Sequence, residues 1–128
     1  MEKYVSVEFA ERLKVLGFKE RVLTYYENGV PKLYNDITGW DFNTSFMTCV
    51  SRPTYSEVFR WFRETYNIEA AVACFYSNKL DIPYEQRRYH CHVIRDSITS
   101  KGPQYNTYEE AELACLEKLC EIVESKTE

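Results

Sequence analysis

The two histidines of the chain stand one residue apart, in the run Arg87-Arg88-Tyr89-His90-Cys91-His92-Val93-Ile94-Arg95. The run alternates, which predicts a β-strand over 87–95. Successive side chains of a strand point to opposite faces. Arg88, His90, His92 and Ile94 therefore share one face, and Arg87, Tyr89, Cys91 and Val93 take the other. One guanidinium and two imidazoles in a row suit an anion such as a phosphate. The plainer account of the same row is a solvated outer face of the sheet. A metal on His90 and His92 needs a third ligand. The chain has no further His to supply it, so no metal is assigned. Cys91 points away from both imidazoles and cannot form a thiol–imidazole pair with either.

Other catalytic patterns are missing. No Ser or Thr lies two residues after His90, which excludes a paired His-x-Ser/Thr phosphoesterase. No G-x-x-x-x-G-K, G-x-G-x-x-G or G-x-S-x-G occurs. No catalytic residue and no cofactor are assigned, and a small phosphodiesterase is kept only as a third reading.

Aromatic residues are the second conspicuous chemistry: eleven Tyr, seven Phe and two Trp. They fill cores, and Tyr and Trp also face ligands and partners. Tyr76 and Tyr89 join Arg88, His90 and His92 as candidate ligand contacts, with packing as their plainer role. Trp61 stands out on its helix. At ~100° per residue it falls about 120° from the centre of the stripe formed by Val58, Phe59, Phe62 and Tyr66. Either another segment covers it, the stretch 37–50 with Trp40 and Phe42 being the candidate, or Trp61, Trp40 and Phe42 form a subunit interface.

The elements that position these residues follow from local signals. Ser6 caps a helix over 6–17 whose apolar face is Phe9, Ala10, Leu13 and Leu16, and Gly17 stops it. Asn28-Gly29 between 21–27 and 30–36 is a hairpin signal, with both turn residues expected at positive φ. Pro31 assigns the return strand to an edge. Residues 40–43 read as loop, and 45–51 as a short third strand. Thr54-Tyr55-Ser56-Glu57 and Thr107-Tyr108-Glu109-Glu110 are capping boxes that open helices over 54–66 and 107–125. Residues 70–76 form an uncharged central strand, and Gly102-Pro103 breaks the chain after the His-x-His strand.

The resulting class is α+β, an antiparallel or mixed sheet with helices on one face. One domain spans 1–128. The spacing of the helix starts allows α-β-β half-repeats over 5–52 and 53–106, followed by a C-terminal helix over 107–125. At 128 residues the chain can bury a core without a staple. Its net charge of −4 argues against a protein that wraps duplex nucleic acid. No apolar run is long enough for a membrane span and no signal peptide opens the chain. The five Cys are odd in number and lack C-x-x-C spacing, so they are expected as small apolar thiols in a reducing cytosol rather than a disulfide framework or zinc site.

Three stretches carry a resemblance: Val5-Ser-Val-Glu-Phe-Ala-Glu-Arg-Leu-Lys-Val-Leu-Gly-Phe18, Arg52-Pro-Thr-Tyr-Ser-Glu-Val-Phe-Arg-Trp-Phe-Arg-Glu-Thr-Tyr-Asn67 and Asn106-Thr-Tyr-Glu-Glu-Ala-Glu-Leu-Ala-Cys-Leu-Glu-Lys-Leu119. Together they resemble the small uncharacterised proteins of phages and prophages of gut Bacteroidales and related bacteria. The resemblance covers the helices, roughly a third of the chain. It implies a protein made in the bacterial cytoplasm during infection, and by analogy an anti-defence role. The expected function is non-enzymatic: a homo-oligomeric binding protein that sequesters a small nucleotide-like immune signal, its bases stacked and its phosphates neutralised. The alternative is a protein–protein inhibitor or accessory factor that turns an aromatic surface on a host protein.

Overall fold

Ser6 starts the first helix as its position implies. Its side chain accepts a hydrogen bond from the Phe9 N–H at 3.2 Å in the computed structural model, which describes residues 3–45, 48–75, 88–95 and 98–126. Helix α1 (Val7–Leu16) buries Phe9, Ala10 and Leu13 and ends at Gly17 with φ 96°. Strands β1 (Thr24–Glu27) and β2 (Val30–Leu33) pair antiparallel, with Tyr26 opposite Pro31. Asn28 at φ 50° and Gly29 at φ 81° form the two-residue turn, the conformation that asparagine and glycine favour. Pro31 does lie on an edge strand: β3 (Cys49–Ser51) pairs with the other side of β1, giving the order β2-β1-β3.

The stretch before β3 is more ordered than a loop. Phe42–Ser45 forms a one-turn helix, α2. Asp41 holds its start by accepting from the Asn43 N–H at 3.1 Å and from the Thr44 hydroxyl. Asn43 then donates to the Phe18 carbonyl at 2.9 Å and accepts from the Ser51 N–H at 2.9 Å. Polar side chains, which mark loops in a sequence, here stitch α2 to β3 and to the end of α1. Helix α3 (Tyr55–Tyr66) opens with the expected capping box: the Glu57 N–H donates to Thr54 Oγ1 at 3.1 Å, and the Thr54 N–H donates to Glu57 Oε1 at 2.8 Å.

The chain divides into two compact units, 1–61 and 62–128, the division falling within α3. In the first, α1 packs on β3, and Phe9, Leu13, Phe18, Val22, Val50 and Val58 are buried.

In the second unit, β4 (Ile68–Phe75), β5 (Arg88–Arg95) and β6 (Ile98–Tyr105) form an antiparallel sheet in the order β4-β5-β6. Helix α4 (Tyr108–Lys126) packs on this sheet through Ala111, Cys115, Leu116, Leu119, Cys120 and Val123, all buried. Strand β6 corrects the expectation that Gly102-Pro103 breaks the chain. His90 pairs with Gln104 and His92 with Lys101, so β6 carries one extra residue between these pairs. Gly102 and Pro103 form that bulge, on an edge strand, where a proline costs no ladder hydrogen bond.

The fold is thus α+β. Among the described residues the strands make two antiparallel sheets rather than one, and the sheets differ in topology: the first strand is central in one, the second in the other. Among the described residues no helix is long and apolar enough to cross a membrane.

Candidate functional site

Strand β5 places the histidines side by side. Their ring centroids are 4.4 Å apart and the planes are tilted by 38°. The neighbouring positions on β4 are Ala73 opposite His90 and Ala71 opposite His92. Both of these positions carry only a methyl side chain. Arg88 lies on the same face at the start of the strand, half-buried. The expectation of a solvated outer face fails at His90, which is only 4% exposed. His92 is half-buried, and its Nε2 atom is buried with no hydrogen-bond partner among the described residues. A buried ring nitrogen without a partner is costly, and a ligand that bonds to it recovers that cost. Among the described residues no cluster of three or more His, Cys, Asp or Glu side chains is placed to hold a metal.

The opposite face of β5 turns Tyr89, Cys91 and Val93 inward, and all three are buried. Tyr89 meets Tyr108 of α4 edge to face at 6.0 Å, so it packs under the helix and does not join Arg88, His90 and His92. Side-chain alternation separates them. Burial, then Glu112 and Glu109 nearby, pushes the Tyr108 phenol above its ordinary pKa. Glu112, which the helical wheel places within the apolar arc of α4, is half-buried. Tyr76 lies outside the described residues.

The proposed interface trio separates as well. Trp61 is 4% exposed and packs edge to face on Phe18, with ring centroids 5.2 Å apart. Phe42 is 3% exposed, stacked on Tyr25 at 4.2 Å and edge-on to Tyr34 at 5.4 Å. Both are core residues of the first unit rather than surface anchors. Trp40 is 39% exposed, beside Tyr34 at 6.5 Å.

Two features escaped the sequence. Cys91 and Cys115 form a disulfide between β5 and α4, with Cα atoms 5.3 Å apart. This corrects the expectation of five thiols; Cys49, Cys74 and Cys120 are outside any disulfide. The available signal was that Cys91 and Cys115 both fall on inward faces of their elements. The second feature is Arg52, whose guanidinium lies 4.1 Å from the Tyr4 ring centroid and 5.4 Å from that of Tyr26. Its Nε atom is buried with no hydrogen-bond partner among the described residues. No local pattern brings residues 4, 26 and 52 together.

Comparison with protein-family models, with curated proteins and with solved structures finds no match to this chain.

Proposed function

We propose that this chain is a phage-encoded, non-enzymatic binding protein that sequesters a small nucleotide-like anion, with Arg88, His90 and His92 as the phosphate-facing row. The observation that carries this reading is the imidazole pair: two rings 4.4 Å apart on one face, with a buried and unpartnered Nε2 on His92. Such a pair offers N–H donors to a phosphate, and protonation adds charge-assisted bonds to those of Arg88. Cys91, which stands between the two histidines in sequence, faces the other way and is held in a disulfide, which favours holding the ligand over cleaving it. The location proposed is the cytoplasm of the infected bacterium, and the biological role anti-defence.

A second reading, an inhibitor or accessory factor acting on a host protein, draws on the first unit. Leu33 is 80% exposed and Ile37 93%, with Val30 and Trp40 exposed near them in sequence. Large apolar side chains left in water are a feature of partner surfaces. Self-association through the same side chains belongs to this proposal. It would use side chains rather than strand addition, because Pro31 blunts the β2 edge.

One experiment separates the readings. The protein is mixed with a panel of cyclic mono- and dinucleotides, purified and heated, and the released material is identified by mass spectrometry. Release of an intact nucleotide supports sequestration. A cleaved product points to a phosphodiesterase, and no release favours the protein-partner reading.

A further inference from the structure

We infer that Cys91 is the exchange-reactive sulfur of the Cys91–Cys115 disulfide, and that the cavity beside it selects small thiols bearing a positive charge. The cavity has a volume of about 450 Å³ and lies where α4 passes over the β6 bulge. That is the size of a small-molecule site. Cys91 forms part of its wall, whereas Cys115 does not border it and is fully buried.

The bulge explains the access. It leaves Cys91 without a one-to-one partner on β6, and it sets Gly102 there. A Cβ built on Gly102 would sit 3.9 Å from the Cys91 Cβ. The absent side chain is therefore one that would otherwise stand against the cysteine.

Exchange needs no oxidant. The thiolate of an incoming small thiol attacks Cys91 Sγ, and a new S–S bond forms between the two. The Cys91–Cys115 bond breaks, and its electron pair leaves on Cys115 Sγ, which then takes a proton from water. One disulfide is consumed and one is made. Access decides which sulfur is attacked, and the cavity offers Cys91.

The charge on the wall decides which thiol enters. Glu117, Lys118 and Glu121 of α4 line the cavity. Lys118 Nζ lies 3.9 Å from Glu121 Oε2, so these two offset each other and Glu117 leaves a net negative wall. The attacking thiolate of an aminothiol is a neutral zwitterion and that of a carboxylate thiol a dianion, so the negative wall favours the first by two unit charges. One unit charge at roughly 8 Å in water gives a rate ratio on the order of fivefold between them.

The test uses the full-length oxidised protein at low ionic strength. Cysteamine and mercaptoacetate are added at equal thiolate concentration. The reaction is quenched with iodoacetamide under denaturing conditions, so that the buried Cys115 is reached, and peptides are mapped by mass spectrometry. The expected result is a mixed disulfide on Cys91 and an alkylated Cys115, formed roughly fivefold faster with cysteamine. High salt and Glu117→Gln should each bring the two rates together. Gly102→Val, which puts a side chain against Cys91, should slow both thiols. Adducts on Cys115, equal rates for the two thiols at low salt, or alkylation of both cysteines before any thiol is added would each overturn the inference.

Discussion

Phe18 and Trp61 meet edge to face with their planes at 66°. This contact covers the one large aromatic that falls off the apolar stripe of α3. Phe18 is held from both sides of its peptide: its N–H donates to the Leu13 carbonyl at 3.0 Å, and its carbonyl accepts from Asn43 Nδ2. The platform under Trp61 is therefore rigid and cannot collapse into a void. Trp61→Ala is expected to destabilise the protein by ~3–5 kcal/mol in chemical denaturation, the range for emptying a core aromatic site. Sedimentation should be unchanged. A variant of full stability that sediments as a smaller species would return Trp61 to an interface.

Gly39 holds the other end of that region. Its φ is 72°, and a Cβ there would lie 2.9 Å from the Val22 carbonyl oxygen. Beside it, Val22 and Trp40 exchange two backbone hydrogen bonds of 3.0 Å each. Gly39→Ala therefore meets both a strained backbone and a clash, and is expected to cost about 1–3 kcal/mol. Hydrogen exchange should show lost protection at the Val22 and Trp40 amides. Unchanged exchange there would mean that the bridge tolerates the side chain.

The local signals of this chain were legible because their causes are local. Ser6, Asn28-Gly29, Pro31 and the box at Thr54 act over three or four residues and are found in their expected roles, and Thr107 caps α4 by accepting from the Glu110 N–H. The errors have non-local causes. Gly102-Pro103 reads as a break because only the pairing register with β5, which no local pattern contains, turns it into a bulge. Residues 40–43 read as loop because the hydrogen-bond partners of Phe42 and Asn43, Ser51 and Phe18, are distant in sequence. At the candidate site, alternation placed Arg88, His90 and His92 on one face, whereas the burial of His90 depends on tertiary packing that period-two reasoning does not contain.

Asp36 gives a pH prediction. Its carboxylate accepts from the Thr38 backbone N–H at 3.0 Å and from the Thr38 hydroxyl at 2.9 Å. These bonds, the backbone one first, hold its pKa below the ordinary aspartate value, with a smaller contribution from Arg21. The folded value lies below the unfolded one. The stabilisation is therefore present above the unfolded pKa and is lost as pH falls through the folded pKa. Following the Asp36 carboxyl carbon by NMR from about pH 6 to about pH 2 should give a midpoint below that of an unfolded peptide. Thr38→Val should raise it. A midpoint equal to the peptide's would show that the turn does not form in solution.

The disulfide closes a loop across a sequence separation of 24 residues, from the middle of β5 to α4. In the chain-entropy account such a loop stabilises by ~3 kcal/mol. Adding a reductant should lower the unfolding temperature of the wild-type protein. Cys115→Ser should start from the lower value and be insensitive to reductant. Equal sensitivity in the two proteins would assign the effect to something other than this bond.

Arg88 tests the ligand row most directly. Its planar fork of donors matches a phosphate, so its contribution can be read separately from that of the histidines beside it. A charge-assisted hydrogen bond to a phosphate is worth ~1.5–3 kcal/mol, so Arg88→Ala should weaken cyclic-dinucleotide binding by about ten- to a hundredfold in calorimetry. Arg88→Lys should recover part of the loss, because it restores charge without the planar fork. Tyr89→Phe should bind like the wild type, since Tyr89 sits under α4 on the opposite face. Thermal melting of Arg88→Ala guards against a general loss of fold: a damaged β5 would lower its unfolding temperature, whereas the loss of a phosphate contact would not. Wild-type affinity in Arg88→Ala would remove the row from the site and leave the exposed apolar side chains of the first unit as the better basis for function.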